Sequence, residues 1–328
     1  LYRKHIKFLA ALLIIAMFMS GCNYFDSNDE VQLDNDYEEN GEYEEENLRD
    51  TVFYYQYGQE YLVPVVISIP WTEGIARATI SSLVSSPQVE SNLEGTGLQA
   101  PLPSGTEVKG LTIKDGLARI DFTEDVLDVR QGQERGVLDS VVYSLTEFET
   151  VDEVEIMVEG HYLEEFPEGD ILEQPLDRKG INLEISDDVE DLEETDKVMV
   201  YYCGWGEEGI SLIVPVTRVV TEGSDLMKKA LQELIKGPKA GTDLFSDINP
   251  GVTINSLTVE EGLATVDFSE EFLDFDGGIT AEENIVKQVT LTLTQFPEVD
   301  EVLILVEGEE PELTREQPIR APDIINSL

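Results

Sequence analysis

The chain predicts an α+β fold built from two tandem copies of one unit, with helices packed on mostly antiparallel sheets. Three observations predict it. Gly116-Leu-Ala-Arg-Ile-Asp-Phe122 returns as Gly262-Leu-Ala-Thr-Val-Asp-Phe268, 146 residues later. Val151-Asp-Glu-Val-Glu-Ile-Met-Val-Glu-Gly160 returns as Val299-Asp-Glu-Val-Leu-Ile-Leu-Val-Glu-Gly308, at a spacing of 148. Around these landmarks, strand-like and helix-like apolar patterns follow one another in the same order in both copies.

Each unit opens with a hairpin. Val52–Tyr55 and Tyr61–Ile69 flank Gly58 in the first copy; residues 198–202 and 210–216 repeat the pattern. Val63-Pro64-Val65 matches Val214-Pro215-Val216, and a proline there lacks a ladder donor, which suits an edge strand or a bulge. A helix follows. Ile75, Ala76, Thr79, Ile80, Leu83 and Val84 share one face and stop near Pro87. Leu226, Ala230, Leu231, Leu234 and Ile235 do the same before Gly237-Pro238.

The middle of each unit is a second β-pair. Val108–Ile113 turns at Lys114-Asp115-Gly116 into Leu117–Phe122, and Val252–Val259 turns at Glu260-Glu261-Gly262 into Leu263–Phe268. A second amphipathic helix carries Val137, Leu138, Val141, Leu145 and Phe148, or Ile285, Val286, Val289, Leu293 and Phe296. Thr280 to Glu283 reads as a capping box at the start of the later one. The strand Val154–Val158 or Val302–Val306 closes the unit, and Gln174-Pro175 answers to Gln317-Pro318. Each unit has apolar faces enough for a core of its own.

Upstream, Arg3, Lys4 and Lys7 precede a twelve-residue apolar run, Phe8–Met19, and then Ser20, Gly21 and Cys22. A basic start, a short apolar run and small residues before a break make a secretory signal. The run is short for roughly 30 Å of hydrocarbon. Ser20-Gly21-Cys22 resembles the end of a bacterial lipobox, so Cys22 is the expected lipid-bearing residue; an uncleaved membrane anchor is the other reading. Residues 22–50 then hold twelve acidic residues, one Arg and few apolar ones. Such a segment repels itself and reads as a disordered tether. The resulting division is signal 1–21, tether 22–50, first unit 51–180, acidic linker 181–197 and second unit 198–322.

Charge excludes one class of partner. The chain has 21 basic and 69 acidic residues, a formal net charge of −48. Cleavage before Cys22 removes three bases and no acid, which leaves about −51. Nucleic acid is repelled by such a surface. Self-repulsion of this size favours a salty habitat, where screening lengths fall to about 3 Å at 1 M.

Few residues invite a chemical role. Asp121 and Asp267 each follow an apolar strand, and Asp267 with Glu270 or Glu271 could be imagined as a glycosidase-like pair. Alternation turns Asp267 away from the Val266 and Phe268 face, which points to fixing the turn into Ser269. With Cys22 spent on lipid, Cys203 is left without a disulfide partner and reads as a buried strand-end thiol. His161 stands alone after Gly160, and Gly160 and Gly308 read as turn glycines. A pocket lined by Trp71, Tyr202 and Trp205 would favour ligand binding. No residue is assigned a catalytic, cofactor-binding or metal-binding role, and no cofactor is expected.

Together, the lipobox cysteine, Tyr201-Tyr202, Val214-Pro215-Val216, Gly237-Pro238, Gly262 to Glu271 and Val299 to Gly308 resemble the GerM sporulation and spore-germination family. The likeness spans Val52 to Pro318. Repeat 1 departs from it with Ser86-Pro87 for Gly-Pro and Gln56 for Cys203. The resemblance implies two GerMN domains similar to ring-building motifs, on a lipoprotein of endospore formers. It further implies a non-catalytic scaffold between the membranes of the developing spore, helping to build the channel platform that links mother cell and forespore. The expected partners are membrane lipid through Cys22, and further copies or other envelope proteins. A module that binds cell-wall glycan or a small ligand, or less so a carboxylate-based peptidoglycan hydrolase, is the alternative.

Overall fold

Repeat 1 opens with β1 (Leu48–Tyr57) and β2 (Tyr61–Pro70), paired antiparallel along their whole length. The computed structural model describes residues 48–167, 172–206, 209 and 211–328. Helix α1 (Ile75–Ser81) follows, then α2 (Pro87–Leu93), and the short β3 (Leu98–Gln99) returns to pair with β1. A second sheet is formed by β4 (Val108–Lys114), β5 (Gly116–Phe122), β6 (Val151–Val158) and β7 (His161–Tyr162), in that spatial order. Between β5 and β6 runs α3 (Glu134–Leu145). Because a helix joins them, β5 and β6 are parallel, while the other neighbours in this sheet are antiparallel.

After β8 (Glu184–Ile185), repeat 2 follows the same path. β9 (Thr195–Trp205) and β10 (Ser211–Thr221) form its hairpin, and α4 (Leu226–Lys236) and β11 (Leu244–Phe245) follow. β12 (Ile254–Glu260), β13 (Leu263–Phe268), β14 (Glu301–Val306) and β15 (Ile319–Arg320) make its second sheet, with α5 (Gly278–Thr294) between β13 and β14. The expected duplication and the helices on mostly antiparallel sheets are both present.

Three local features differ from the sequence reading. Pro87 does not close a helix; it opens α2 at its first position, and the Ser86 hydroxyl accepts from the Val89 N–H. Proline at that position loses only an N–H that has no helical partner. The capping box at Thr280 is not formed, since α5 starts two residues earlier behind Gly277, whose φ of 115° suits glycine alone. The Glu282 carboxylate instead accepts from the Thr314 N–H. Last, β1 begins at Leu48, three residues inside the segment read as tether.

The two cores are not separate. Phe53, Val63, Ile120 and Phe122 of repeat 1 belong to the same apolar cluster as Tyr202, Val214, Val266 and Phe268 of repeat 2. Two satellite clusters lie on the other faces of the hairpins. Tyr54, Leu62, Tyr143 and Ile181 make one; Tyr201, Cys203, Ile213 and Leu291 make its counterpart, with Ile325 packed against it. Ile181 is buried although it starts the segment read as linker. Burying one such side chain stabilises by roughly 1.5–3 kcal/mol, so this segment is part of the packing.

Buried polar residues on α5 have a matching explanation. The outer edge of β9 needs partners, and α5 supplies them from side chains. Gln288 donates to the Tyr201 carbonyl at 2.9 Å, and Gln295 accepts from the Met199 N–H at 2.7 Å. On β1 the Tyr54 N–H donates to the Ser144 hydroxyl of α3.

Candidate functional site

The most specific construction in the molecule is the seam where β2 meets β10. Prolines stand at equivalent places in both strands, so neither can offer an N–H there. Asparagine side chains take over. Asn182 accepts from the Leu62 N–H at 2.7 Å, and its amide nitrogen donates to the Leu62 and Pro215 carbonyls, each at 2.7 Å. Asn326 accepts from the Ile213 N–H at 2.8 Å and donates to the Ile213 and Pro64 carbonyls at 2.8 and 2.9 Å.

The backbone beyond each asparagine then crosses to the other repeat. Glu184 and Ile185 pair in parallel with Arg218 and Val219 of β10, and the Thr217 N–H donates to the Ile181 carbonyl. Ser327 bridges in parallel to Val66 of β2, whose N–H donates to the Asn326 carbonyl. Leu62, Pro64 and Val66 on one side, and Ile213, Pro215 and Thr217 on the other, thus have their outward groups answered by two exchanged tails. The sequence reading missed both asparagines. The signal was there, as Ile181-Asn182 and Ile325-Asn326, but two residues are too short a match to stand out.

An ion pair fastens the first tail. Glu184 lies 3.2 Å from Arg218, both side chains are nearly buried, and the Tyr61 hydroxyl donates to Glu184 at 2.6 Å. Burial, with Glu184 second, pushes the Tyr61 hydroxyl well above its ordinary range. Arg218 also donates to the Gly237 carbonyl and lies over the Tyr202 ring. A cleft of about 630 Å³ opens beside this tail, lined by Tyr61, Arg135, Asp139, Lys179 and Lys197 among others. Several of its polar groups are already engaged. Arg135 pairs with Asp139 at 2.7 Å, and Lys197 donates to the Lys179 carbonyl at 2.6 Å. Burial raises the Asp139 carboxyl pKa, and the Arg135 hydrogen bond opposes that shift.

The residues singled out from sequence are dispersed. Asp121 accepts from the Gly160 N–H at 2.9 Å, and Asp267 accepts from the Gly308 N–H at 2.8 Å. Both therefore hold the turn that follows β6 or β14, where Glu159 and Glu307 take positive φ. That corrects the expectation that Asp267 fixes the turn into Ser269. Glu271 has its pKa lowered by the Ser269 hydroxyl, the opposite of what a proton-donating acid needs. Cys203 is fully buried, and burial pushes its thiol up to about 12. His161 lies exposed in β7.

Trp71, Tyr202 and Trp205 do not line a common pocket. Tyr202 is in the core with its hydroxyl bonded to the Glu233 and Gly237 carbonyls. Trp205 stacks on Phe245 at 4.5 Å, and Trp71 is exposed. Among the described residues no group of three or more His, Cys, Asp or Glu could hold a metal ion. No helix among them is long and apolar enough to cross a membrane. Cys22 and the apolar run before it lie outside the described residues.

A family model named Germane, described as sporulation and spore germination, matches residues 51–164 and 199–312. The chain belongs to the Germane family. The spore germination protein GerM of Bacillus subtilis (strain 168) is 31% identical over 279 residues, which is 81% of this chain and 75% of that protein. The solved tandem GerMN domains of the sporulation protein GerM from Bacillus subtilis match with a TM-score of 0.71 at 30% identity, over 85% of this chain and 99% of that one. A structure of the first GerMN domain of the same protein matches 40% of this chain and 98% of its own length at 29% identity, with a TM-score of 0.38. Both Germane matches fall on the duplicated units, one per repeat.

Proposed function

We propose that this protein is a membrane-tethered, non-catalytic scaffold of endospore formation, anchored by lipid on Cys22 and facing away from the cytoplasm. In this reading it works in the space between the membranes of the developing spore, where it helps to build the channel platform between mother cell and forespore. Its effect on germination then follows indirectly, through defective spore assembly. The observation that carries the proposal is the match to tandem GerMN domains over 85% of the chain. The engagement of Asp121 and Asp267 in turn hydrogen bonds supports a structural rather than a chemical use of those carboxylates.

Two experiments test the proposal. Metabolic labelling with a fatty acid analogue should mark the wild type and not Cys22→Ser; equal labelling of both overturns the lipid anchor. Co-purification from crosslinked sporulating cells should recover other envelope or channel proteins. Peptidoglycan cleavage by the purified chain, lost in Asp267→Asn with the fold intact, would replace the scaffold reading with the hydrolase one.

A further inference from the structure

We propose that the cleft beside the first exchanged tail binds a small acidic amino sugar, a ligand with one carboxylate among hydroxyl and amide groups. The inference goes beyond the scaffold reading and stands or falls apart from it. The cleft holds about 630 Å³, a volume usual for small-molecule sites. Its walls are the β1–β2 turn, the start of α3, the tail itself and Lys197 of β9, so both repeats build it.

One residue keeps this space open without serving the fold. Gly136 lies inside α3, where glycine costs a helix stability relative to alanine. Its φ is not positive, and a Cβ on it would meet nothing within 4 Å. The internal copy shows the closed alternative. Gly136 corresponds to Asn284 of α5, 148 residues on. Asn284 is buried, accepts from the Ser211 hydroxyl at 3.1 Å and donates to the Asp247 carboxylate at 2.9 Å. Repeat 2 thus fills the place that repeat 1 leaves open.

The charges of the cleft select an anion. Acids outnumber bases 69 to 21 in the chain, yet three of each line this cleft. Two of the three carboxylates are already answered. Asp139 accepts from the Arg135 Nε at 2.7 Å, and Glu184 is held by the Tyr61 hydroxyl and by Arg218. The bases keep spare donors. The terminal nitrogens of Arg135 have no partner among the described residues, and its side chain is 59% exposed. The nearest carboxylate to the Lys179 Nζ is that of Asp177, 3.9 Å away. Lys197 gives one N–H to the Lys179 carbonyl and has others left. An arginine fork matches a carboxylate, and the two ammonium groups add charge. Gln59 and Gln133 bring amides that have no hydrogen-bond partner among the described residues. Each can donate and accept, which suits hydroxyl and acetamide groups. Glu60 alone of the three carboxylates has no partner among the described residues, and it opposes an anion.

Titration calorimetry on the full chain at low salt tests the proposal. The probes are N-acetylmuramic acid and N-acetylglucosamine, which lacks the carboxylate. The acidic sugar should bind about tenfold tighter, the worth of one charge-assisted hydrogen bond. Lys179→Gln together with Lys197→Gln should remove most of that preference. Glu60→Gln should tighten the acidic sugar and leave the neutral one unchanged. Gly136→Leu should abolish binding of both while the melting temperature holds or rises, because leucine favours a helix more than glycine does. No binding of either sugar, equal binding of the two, or binding untouched by Gly136→Leu each overturns the proposal. Both lysines are exposed, so their variant serves even where Gly136→Leu fails to fold, and a preference that survives in it also overturns the proposal. Co-purification of envelope proteins does not involve the cleft, so these outcomes leave the scaffold reading standing.

Discussion

The ring of Tyr57 lies where a side chain on Gly204 would stand: a Cβ there would sit 2.7 Å from the ring carbon that bears the hydroxyl. Aligning Tyr54-Tyr55 with Tyr201-Tyr202 makes these two residues equivalents in the two repeats. The Tyr57 hydroxyl accepts from the Trp205 N–H at 2.9 Å and has the Asp243 and Trp205 carbonyls within reach. Gly204→Ala should therefore cost about 1–3 kcal/mol through overpacking. Combined with Tyr57→Ala, the penalty should fall well below the sum of the two. Urea unfolding of both singles and the double checks this, and simple additivity refutes it.

Asn326→Ala strips the Ile213 N–H, the Ile213 carbonyl and the Pro64 carbonyl of their partner at once. Each buried group left unpaired costs about 1–3 kcal/mol, so a total loss of about 2–4 kcal/mol is expected after relaxation. Pro64→Val should also destabilise, since it adds an N–H for which this edge shows no acceptor. A change below about 1 kcal/mol for Asn326→Ala in denaturant titration would show that water replaces the clamp.

Asp267→Asn keeps an oxygen for the Gly308 N–H and should leave stability within about 0.5 kcal/mol of wild type. Asp267→Ala should lose about 0.5–1.5 kcal/mol, the net worth of one hydrogen bond. Equal losses in both variants would mean that the charge, not the hydrogen bond, matters.

Alkaline pH should unfold the protein. Burial raises the hydroxyls of Tyr55 and Tyr201 to about 12, and those of Tyr54, Tyr61 and Tyr202 further. A group whose folded pKa lies above its unfolded value gives stability that is complete below the unfolded pKa, here 10.0. That stability is lost as pH rises through about 12. Denaturation midpoints should fall across this window while tyrosinate absorbance lags behind that of model tyrosine. Midpoints that stay flat to the top of the window would contradict it.

Salt should raise the melting temperature. At a net charge of −48, most surface pairs are repulsive, and screening relieves them. A melting temperature that does not rise as potassium chloride approaches about 1 M, where the screening length is about 3 Å, counts against the salty habitat.

The duplication was legible because loop insertions shift spacing without disturbing runs such as Val299 to Gly308. Helices were legible from their stripes, as with Leu231 and Leu234 of α4. Pro64 lies on an edge strand as read, whereas Pro215 lies in β10, which β9 and β8 flank, at a point that the β8 ladder does not reach. What bonds there instead was not legible, because Asn326 meets Pro64 from 262 residues away and main-chain targets leave no mark on sequence. Pro87 misled since proline both ends and begins helices, and only the Ser86 hydroxyl decides which. Asp267 was rightly turned away from the core, but its partner Gly308 lies on a turn that alternation cannot reach. Cys22 remains a reading of sequence pattern.

The exchanged tails give the body an order of completion. Strand β2 is made early, yet its outer edge is closed by Asn326 and Ser327, which emerge after both hairpins and helices α1 to α5. Until then the first repeat presents an open strand, and contacts so distant along the chain form slowly. A chain made from its N-terminal side must therefore wait for Asn326 and Ser327 before β2 is sealed. Deleting residues 326–328 should leave the first repeat, not the second alone, vulnerable to proteases and to mispairing with a neighbour's edge.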